Sequence, residues 1–313
     1  MSFTAKDILQ MQVAPALGCT EPVAIALGAA AAASLFEDKN QIDAIEIWLD
    51  PNIYKNGLGV IIPGTRGMIG LDTSAVLGAL AGDPNLGLEV LEPVNDSTVE
   101  KAKLFLEEKE VVVNLREEQG LYIRCVLKGA ENTAESLITQ IHSNIVELKY
   151  NDKIISDSPL LSRKNSGAGG NRYEELEDWL KKQTLADLVS LIDDLDEEDL
   201  IFIEHGVQCN LKLAAYGLKY GTGLGIGKAL ERMLKDKLMV KDMASTAKML
   251  TSAAADARMG GAKLPAMSSA GSGNHGLTAT LPIWAIKDFI EHDDSTVLRA
   301  IGLSHIVTAY VKA

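Results

Sequence analysis

The sequence predicts an α+β protein with a mixed α/β middle domain and a mainly helical domain. Residues 39–155 contain short runs in which apolar and polar residues alternate, the period of half-buried strands, between helical segments. Residues 173–313 have a helical pattern, and we assign residues 1–38 to N-terminal helices that pack on this helical domain. With 313 residues and 47% hydrophobic content, the chain can bury a large core.

The first strong element is the apolar run at residues 23–36, which predicts a buried helix with Thr20 as its N-cap. This run is too short to span a bilayer. No basic region precedes it, and it ends in Glu37 and Asp38, so we expect neither a membrane anchor nor a signal peptide.

The middle domain combines predicted strands and helices. Residues 42–49 and 59–62 predict strands, separated by a turn-rich loop at residues 50–57. The elements predicted after them are helices at 71–81 and 96–108 (the second capped by Asp96 or Ser97), a hairpin of strands at 110–115 and 121–127, a helix at 133–141 and a strand at 145–150.

A domain boundary is predicted at residues 156–172, which are rich in Ser, Gly and Asn. The acidic cluster at 193–199 favours a solvated helix start over an ion site, because no Gly-turn loop of calcium-binding spacing accompanies it. The Gly-rich run at 221–228 departs from nucleotide-binding loops and favours a link or close helix packing. The last helix reaches Ala313 without a stop signal, so we expect the helical domain to be truncated there.

Charge and cysteine content limit the partners. The net charge of -13 argues against nucleic acid and anionic membranes, because both would be repelled, and leaves a small molecule as the expected ligand. Three cysteines cannot make a disulfide framework, and their odd number is more natural in a reducing compartment, so we expect the cytoplasm. A homo-oligomer stays open.

Cys19 lies in a turn immediately before the Ala-rich helix. Pro15 and Gly18 interrupt the preceding helical pattern, so the thiol is expected to face the positive end of that helix. Unpaired amides there favour an anion and lower a thiol pKa, which predicts a Cys19 thiolate able to attack or to bind metal. The alternative is a small buried apolar side chain beside a turn.

Residues 267–276 combine hydroxyls, Gly amides and a helix start. We expect Asn274 to cap a helix that begins near His275 and bends at Pro282. Such a segment predicts a cradle for a carboxylate or phosphate, and the histidine adds a group that titrates near neutrality. The hydroxyls expected to line it are those of Ser268, Ser269 and Ser272. The alternative is an ordinary Gly/Ser connection.

The other cysteines and histidines carry weaker signals. Cys125 alternates with apolar residues on one strand face and is predicted to be core. Cys209 favours a helical core position, with a polar site beside His205 as the alternative. His305 favours a core histidine over a site role, and His142 lies in a polar surface pattern.

Three motifs occur in the order and context of one known family. They are residues 15–22 with Gly-Cys-Thr-Glu-Pro, the Lys-Asn-Gly loop at 55–57 leading into 61–65, and residues 268–276 with Gly-Ser-Gly-Asn-His-Gly. On these motifs the chain resembles the L-cysteine desulfidases, relatives of the iron–sulfur L-serine dehydratase alpha chain, over nearly all its length. The resemblance implies a 4Fe–4S cluster held by three cysteines, with Cys19 as the first ligand. The family's Cys-Asp-Gly-Ala-Lys stretch does not occur, so the ligands beyond Cys19 are absent from this sequence.

The resemblance also implies a lyase without pyridoxal phosphate that degrades L-cysteine, or L-serine, to pyruvate, ammonia and sulfide, or water. In such a lyase an iron polarises the leaving group while a base removes the α-proton, with the substrate carboxylate in the 268–275 segment. The implied catalytic residues are His275 and Lys55. The implied substrate contacts are Thr20, Glu21, Asn56, Ser268, Ser269, Ser272 and Asn274.

Two alternatives of other classes stay open. One is a non-catalytic protein that binds an amino acid or small anion through residues 268–276. The other is a thiol redox sensor that uses Cys19.

Overall fold

The computed structural model describes residues 2–161 and 172–313 and confirms the α+β class. The chain divides into two compact units, a helical unit of residues 1–15 and 167–313 and a sheet unit of residues 16–166. The boundary predicted at residues 156–172 falls mainly on residues 162–171, which lie outside the described residues.

Helix α1 (Ala5–Gln12) lies in the helical unit and starts at a capping box between Thr4 and Asp7. A short strand, β1 (Pro15–Leu17), leads to helix α2 (Thr20–Ala33) of the sheet unit. The prediction that residues 1–38 pack on the helical domain is therefore wrong for α2. The predicted buried helix itself is confirmed, since the apolar side chains of residues 23–33 are at most 1% exposed. A helix that is apolar all round needs neighbours on every side, and α2 has them within the sheet unit.

The sheet unit is built on one six-stranded mixed sheet. After α2 its elements are β2 (Ala44–Leu49), α3 (Pro51–Gly57), α4 (Leu71–Ala81), α5 (Asp96–Glu108), β3 (Glu110–Leu115), β4 (Tyr122–Gly129), β5 (Asn132–Thr139), β6 (Ile145–Tyr150) and β7 (Lys153–Ile154). The strand order is β3-β2-β4-β5-β6-β7, in which β2 and β3 are parallel and the other neighbours antiparallel. The predicted helices at 71–81 and 96–108 are confirmed, although Asn95 caps the second.

Two predictions about the strands are wrong. β3 and β4 do not form a hairpin, because β2 lies between them and pairs with both. Residues 133–141 mainly form strand β5 rather than a helix. Ala134, Ser136 and Ile138 are buried at every second position, which is the period of a strand with one covered face.

The segment between β2 and α4 also differs from the prediction. Residues 59–62, predicted as a strand, belong to no strand of the sheet. Residues 51–57, predicted as a loop, form α3 instead. Asp50 accepts hydrogen bonds from two amides of its first turn, and Pro51 occupies the first helical position, where its missing N–H does not matter.

Helix α2 packs on the sheet through β4 and β5. The hydroxyl of Ser136 donates to the carbonyl oxygen of Gly28 at 2.7 Å, and Cys125 Sγ lies 3.7 Å from the carbonyl oxygen of Ile25. Cys125 is fully buried, which confirms its predicted core position, and burial raises the pKa of its thiol to about 12. A thiol held in this form is a poor metal ligand, because metals bind the thiolate.

The described part of the helical unit contains seven further α-helices and one strand. They are α6 (Arg172–Leu180), α7 (Leu185–Leu191), α8 (Glu197–Tyr220), α9 (Ile226–Lys235), α10 (Met243–Met259), β8 (Pro265–Met267), α11 (Gly273–Ile286) and α12 (Asp294–Lys312). Asp196 caps α8 through a capping box with Asp199, so the helix start predicted at the acidic cluster is confirmed. Within residues 2–161 and 172–313, no helix has both the length and the apolar composition to cross a membrane.

Candidate functional site

The first motif of interest is the turn that places Cys19 at the start of α2. Gly18 has a φ of 81°, and a Cβ atom at this position would lie 2.3 Å from Cγ of Pro63, so only glycine fits. The N-cap of α2 is Cys19, with extended backbone, and Thr20 is the first helical residue. The prediction that Thr20 caps the helix is therefore wrong. Cys19 makes no side-chain capping bond, which leaves its sulfur for other contacts.

The Glu21 carboxylate accepts hydrogen bonds from three polar side chains near the start of α2. Cys19 Sγ donates to Glu21 Oε2 at 2.8 Å, and the Thr20 hydroxyl donates to the same oxygen at 3.2 Å. Asn56 Nδ2 donates to Glu21 Oε1 at 3.4 Å from the end of α3. The structure thus brings together Cys19, Thr20, Glu21 and Asn56. Lys55 is exposed on the same helix as Asn56.

In this arrangement the Cys19 sulfur is the hydrogen-bond donor and the Glu21 carboxylate is its acceptor. Burial opposes ionisation of Glu21, but the hydrogen bonds from Cys19, from the Glu21 backbone and from Thr20, together with the charge of His142, lower the pKa of Glu21. An ionised carboxylate 2.8 Å from a thiol is placed to take the thiol proton when the sulfur binds a cation.

His142 is a residue that sequence reasoning passed over. It follows β5 in a polar segment, which resembled ordinary surface, yet its charge acts on Glu21. Its separation of more than a hundred positions from Glu21 left no sequence signal for this relationship.

The second motif follows β8 in the helical unit. The amide and the hydroxyl of Ser268 both donate to the carbonyl oxygen of Ala14, at 2.8 and 2.6 Å. Ser269 and Ser272 exchange two backbone hydrogen bonds of 3.0 Å, which close the bend. The Ser268 hydroxyl is therefore used to fix the segment, whereas the buried Ser269 hydroxyl has no hydrogen-bond partner among the described residues.

Asn210 on α8 fixes the same segment from the other side. Its Oδ1 accepts from the amide of Met267 at 2.9 Å, and its Nδ2 lies 3.4 Å from the carbonyl oxygens of Met267 and Gly276. Asn210 is fully buried and was missed from the sequence, because one asparagine in a long helix carries no distinctive pattern.

The helix after the bend starts two residues earlier than predicted. α11 begins at Gly273 with Ser272 as its N-cap, so the expectation that Asn274 caps it is wrong. Asn274 Oδ1 instead accepts from Arg258 Nη1 at 3.0 Å. Arg258 is 2% exposed at the end of α10. It could not be selected from the sequence, because a basic residue at a helix C-terminus is an ordinary contact with the helix dipole.

His275 lies in the first turn of α11 with an exposed side chain. Partial burial lowers the pKa of His275, and the positive charges of Lys312 and Arg258 add to this effect. A hydrogen bond with the Ser269 backbone opposes it. His275 is therefore mainly neutral near pH 7 and able to accept a proton.

Whether the chain can hold an iron–sulfur cluster depends on the positions of its three cysteines. Cys19 offers one sulfur with an adjacent proton acceptor. Cys125 is sealed in the sheet unit, and Cys209 is a core residue of α8, which confirms the helical core prediction, although its Sγ lies 3.8 Å from Nε2 of His205. In the described part of the chain, no three His, Cys, Asp or Glu side chains are grouped so that they could hold a metal ion. These residues fit one ligand position of a cluster and do not complete it.

His305 is a core histidine, as predicted. It is 3% exposed, and its Nε2 lies 3.4 Å from the hydroxyl of Thr280. Burial lowers the pKa of His305 to about 4, so this side chain is neutral at physiological pH.

Comparisons with known proteins identify the family. A family model described as serine dehydratase alpha chain matches residues 85–313. The UPF0597 protein DP0591 of Desulfotalea psychrophila is 59% identical over 313 residues, which cover 100% of this chain and 71% of that protein. A UPF0597 protein of Desulfatibacillum aliphaticivorans is 53% identical over 314 residues, covering 100% of this chain and 71% of that protein.

The UPF0597 protein YhaM of Escherichia coli is 39% identical over 305 residues, which cover 97% of this chain and 68% of YhaM. No solved structure matches the chain. With a family match over most of the sequence and relatives well above 30% identity, the chain belongs to the family of iron–sulfur serine dehydratase alpha-like proteins.

Proposed function

We propose that the chain serves a lyase that removes the β-thiol of L-cysteine, or the β-hydroxyl of L-serine, and releases pyruvate and ammonia. The observation that carries the proposal is the pair formed by Cys19 and Glu21, a thiol 2.8 Å from an ionised carboxylate at the start of a helix. Membership of the serine dehydratase alpha family supports the reaction class.

The reaction is an elimination followed by hydrolysis. A base takes the α-proton, the C–H electron pair becomes the Cα–Cβ double bond, and the bond from Cβ to sulfur or oxygen breaks with its pair on the leaving group. Water then replaces the amino group. L-cysteine and water thus give pyruvate, ammonium and hydrogen sulfide, and no oxidant or reductant is consumed.

In this function the residues around Cys19 in the sheet unit bind the iron–sulfur cluster or support its ligand. Cys19 would supply one thiolate to an iron–sulfur cluster, and Glu21 would be placed to accept the thiol proton. Thr20 and Asn56 hold the carboxylate by hydrogen bonds to its two oxygens. The described residues do not complete the ligand set, so the proposal assigns no second ligand within them.

In the helical unit, the proposal assigns the 268–275 segment to the substrate. Its backbone is fixed by Asn210 and by the Ser268 bonds to Ala14, so the Ser269 hydroxyl and the first turn of α11 are held in place before a ligand arrives. His275, with its lowered pKa, is the group of this segment that can accept a proton near neutral pH.

Anaerobic reconstitution with iron and sulfide tests the proposal. With a small thiol such as dithiothreitol present to fill the cluster positions that Cys19 does not, the wild-type chain is expected to retain iron and acid-labile sulfide and to release pyruvate from L-cysteine or L-serine. Cys19→Ser should lose the iron and the activity, whereas Cys209→Ala, which removes a core thiol outside the proposed site, should keep both. Iron retention that does not depend on Cys19 would overturn the assigned ligand.

A non-catalytic binder of small carboxylates is the second candidate. It is favoured by the buried Ser269 hydroxyl and the buried Arg258 beside the 268–275 segment, since neither feature requires iron. Carboxylate binding by iron-free protein, without pyruvate release after reconstitution, would select this function over the lyase.

A further inference from the structure

Arg258 is a buried cation with unused hydrogen-bond donors. The residue is 2% exposed, and its Nη1 donates to Asn274 Oδ1 at 3.0 Å. Its Nε and Nη2 atoms are buried and have no hydrogen-bond partner among the described residues. Almost all buried arginine donors in proteins are paired, so two open donors on one guanidinium point to a missing acceptor.

The Arg258 guanidinium lies against the start of α11. A Cβ atom at Gly273 would stand 2.2 Å from Arg258 Nε and 2.6 Å from its Cζ, so glycine is what lets the arginine approach the first helical residue. The amides of a first turn have no partner within their own helix and carry partial positive charge. Two positive groups therefore meet at Gly273.

Acidic side chains of the described residues do not neutralise this positive charge. The salt bridges present there include none to Arg258. Asp256, the nearest carboxylate in sequence, is buried and accepts from the Gly227 amide at 2.9 Å. A buried charge without a counter-ion is strongly unfavourable, and an anion at Gly273 would satisfy the arginine and the helix end together.

The chemistry of the two open donors favours a carboxylate. Nε and Nη2 present two parallel N–H groups, and a carboxylate can accept both with its two oxygens. The Ser269 hydroxyl is also fully buried without a partner among the described residues, in the bend that Ser272 closes immediately before Gly273.

We propose that Arg258, the first turn of α11 and the Ser269 hydroxyl bind the carboxylate of a small organic acid. Identifying that acid as the amino-acid substrate or the 2-oxo acid product rests on the proposed function. The carboxylate site itself does not require iron.

Calorimetric titration of the iron-free chain with pyruvate, in a buffer without carboxylates, tests this site. We expect saturable binding, weakened about 10- to 100-fold in Arg258→Lys, because lysine keeps the charge but loses the two-pronged contact. Arg232→Lys is the matched control, since Arg232 is an exposed arginine on α9, and it should bind like wild type. Inorganic phosphate in place of pyruvate should bind more weakly.

Ser269→Ala is the second variant, because removal of an unpaired buried hydroxyl should not impair folding. It should weaken pyruvate binding about fivefold or more while leaving the thermal midpoint of the ligand-free chain unchanged or raised. This variant decides the question if Arg258→Lys fails to fold.

The proposal is overturned if wild type does not bind pyruvate, if the folded Arg258 and Ser269 variants bind it as wild type does, or if phosphate binds as tightly. Pyruvate binding that depends on Arg258, without pyruvate release after reconstitution, would refute the lyase and keep the site. Pyruvate release with a KM unchanged in both variants would refute the site and keep the lyase.

Discussion

Cys19 Sγ donates a 2.8 Å hydrogen bond to Glu21 Oε2 across the first residue of α2. An ionised carboxylate beside a thiol would accept the thiol proton if a cation bound to the sulfur. We therefore expect Glu21 to assist Cys19 in binding a metal, and not only to lie beside it in the sequence.

Glu21→Gln should weaken iron binding. Glutamine can still accept a hydrogen bond but cannot take the thiol proton, and loss of such an outer partner lowers metal affinity about 10- to 100-fold. Iron retained after reconstitution and desalting measures the effect. Glu118→Gln, at an exposed carboxylate paired with Arg116 in the same unit, is the control and should retain iron like wild type.

His142→Gln should raise the pKa of Glu21. The charge of His142 helps to keep that carboxyl ionised against the effect of burial, so its removal favours the protonated form. NMR titration of the Glu21 carboxyl carbon measures the change directly, with His292→Gln in the helical unit as control. An unchanged or lower value would show that His142 does not act on this group.

Gly18→Ala should destabilise the sheet unit. The new Cβ atom would meet Pro63 at 2.3 Å with φ at 81°, and strain of this kind lowers the free energy of unfolding by about 1–3 kcal/mol. Gly59→Ala is the matched control, because no atom lies within 4 Å of its added Cβ. Urea unfolding of both variants measures the difference, and equal midpoints would contradict the prediction.

Stability should fall as the pH drops from 6.5 towards 4. His305 has a folded pKa of about 4 against an ordinary value of 6.5, so over this window the unfolded chain binds a proton that the folded chain excludes. The depressed value corresponds to a loss of about 3 kcal/mol, complete below pH 4. His305→Gln should flatten the slope of unfolding free energy against pH. A slope that persists unchanged would place its origin in other groups.

The sequence was sufficient to predict those helices and strands that depend mainly on nearby residues. The bounds of helices α4 and α5 were predicted from the local sequence, and the core position of Cys125 was predicted from alternation on a strand. The position of β2 between β3 and β4 could not be predicted in this way. A short turn between two alternating runs favours a hairpin, and only the complete sheet shows that β2 separates these two strands. Strand β5 was predicted as a helix, although its buried side chains alternate along the chain as they do in a strand.

In the candidate site, too, residues in contiguous motifs were predictable and residues brought in by the tertiary fold were not. The motifs around Cys19 and Ser268 were recognisable because their residues are contiguous. Arg258 and His142 were not, since each reaches its motif only through the tertiary fold. Arg258 is identified by its burial and unmet hydrogen bonds and His142 by its charge effect on Glu21, and a single sequence displays neither.

The most direct test of the lyase assignment is product stoichiometry after anaerobic reconstitution. With L-cysteine, the chain is expected to release hydrogen sulfide, pyruvate and ammonium in equal amounts, and with L-serine pyruvate and ammonium alone. Stable incorporation of iron through Cys19 with no pyruvate from either amino acid would contradict the account.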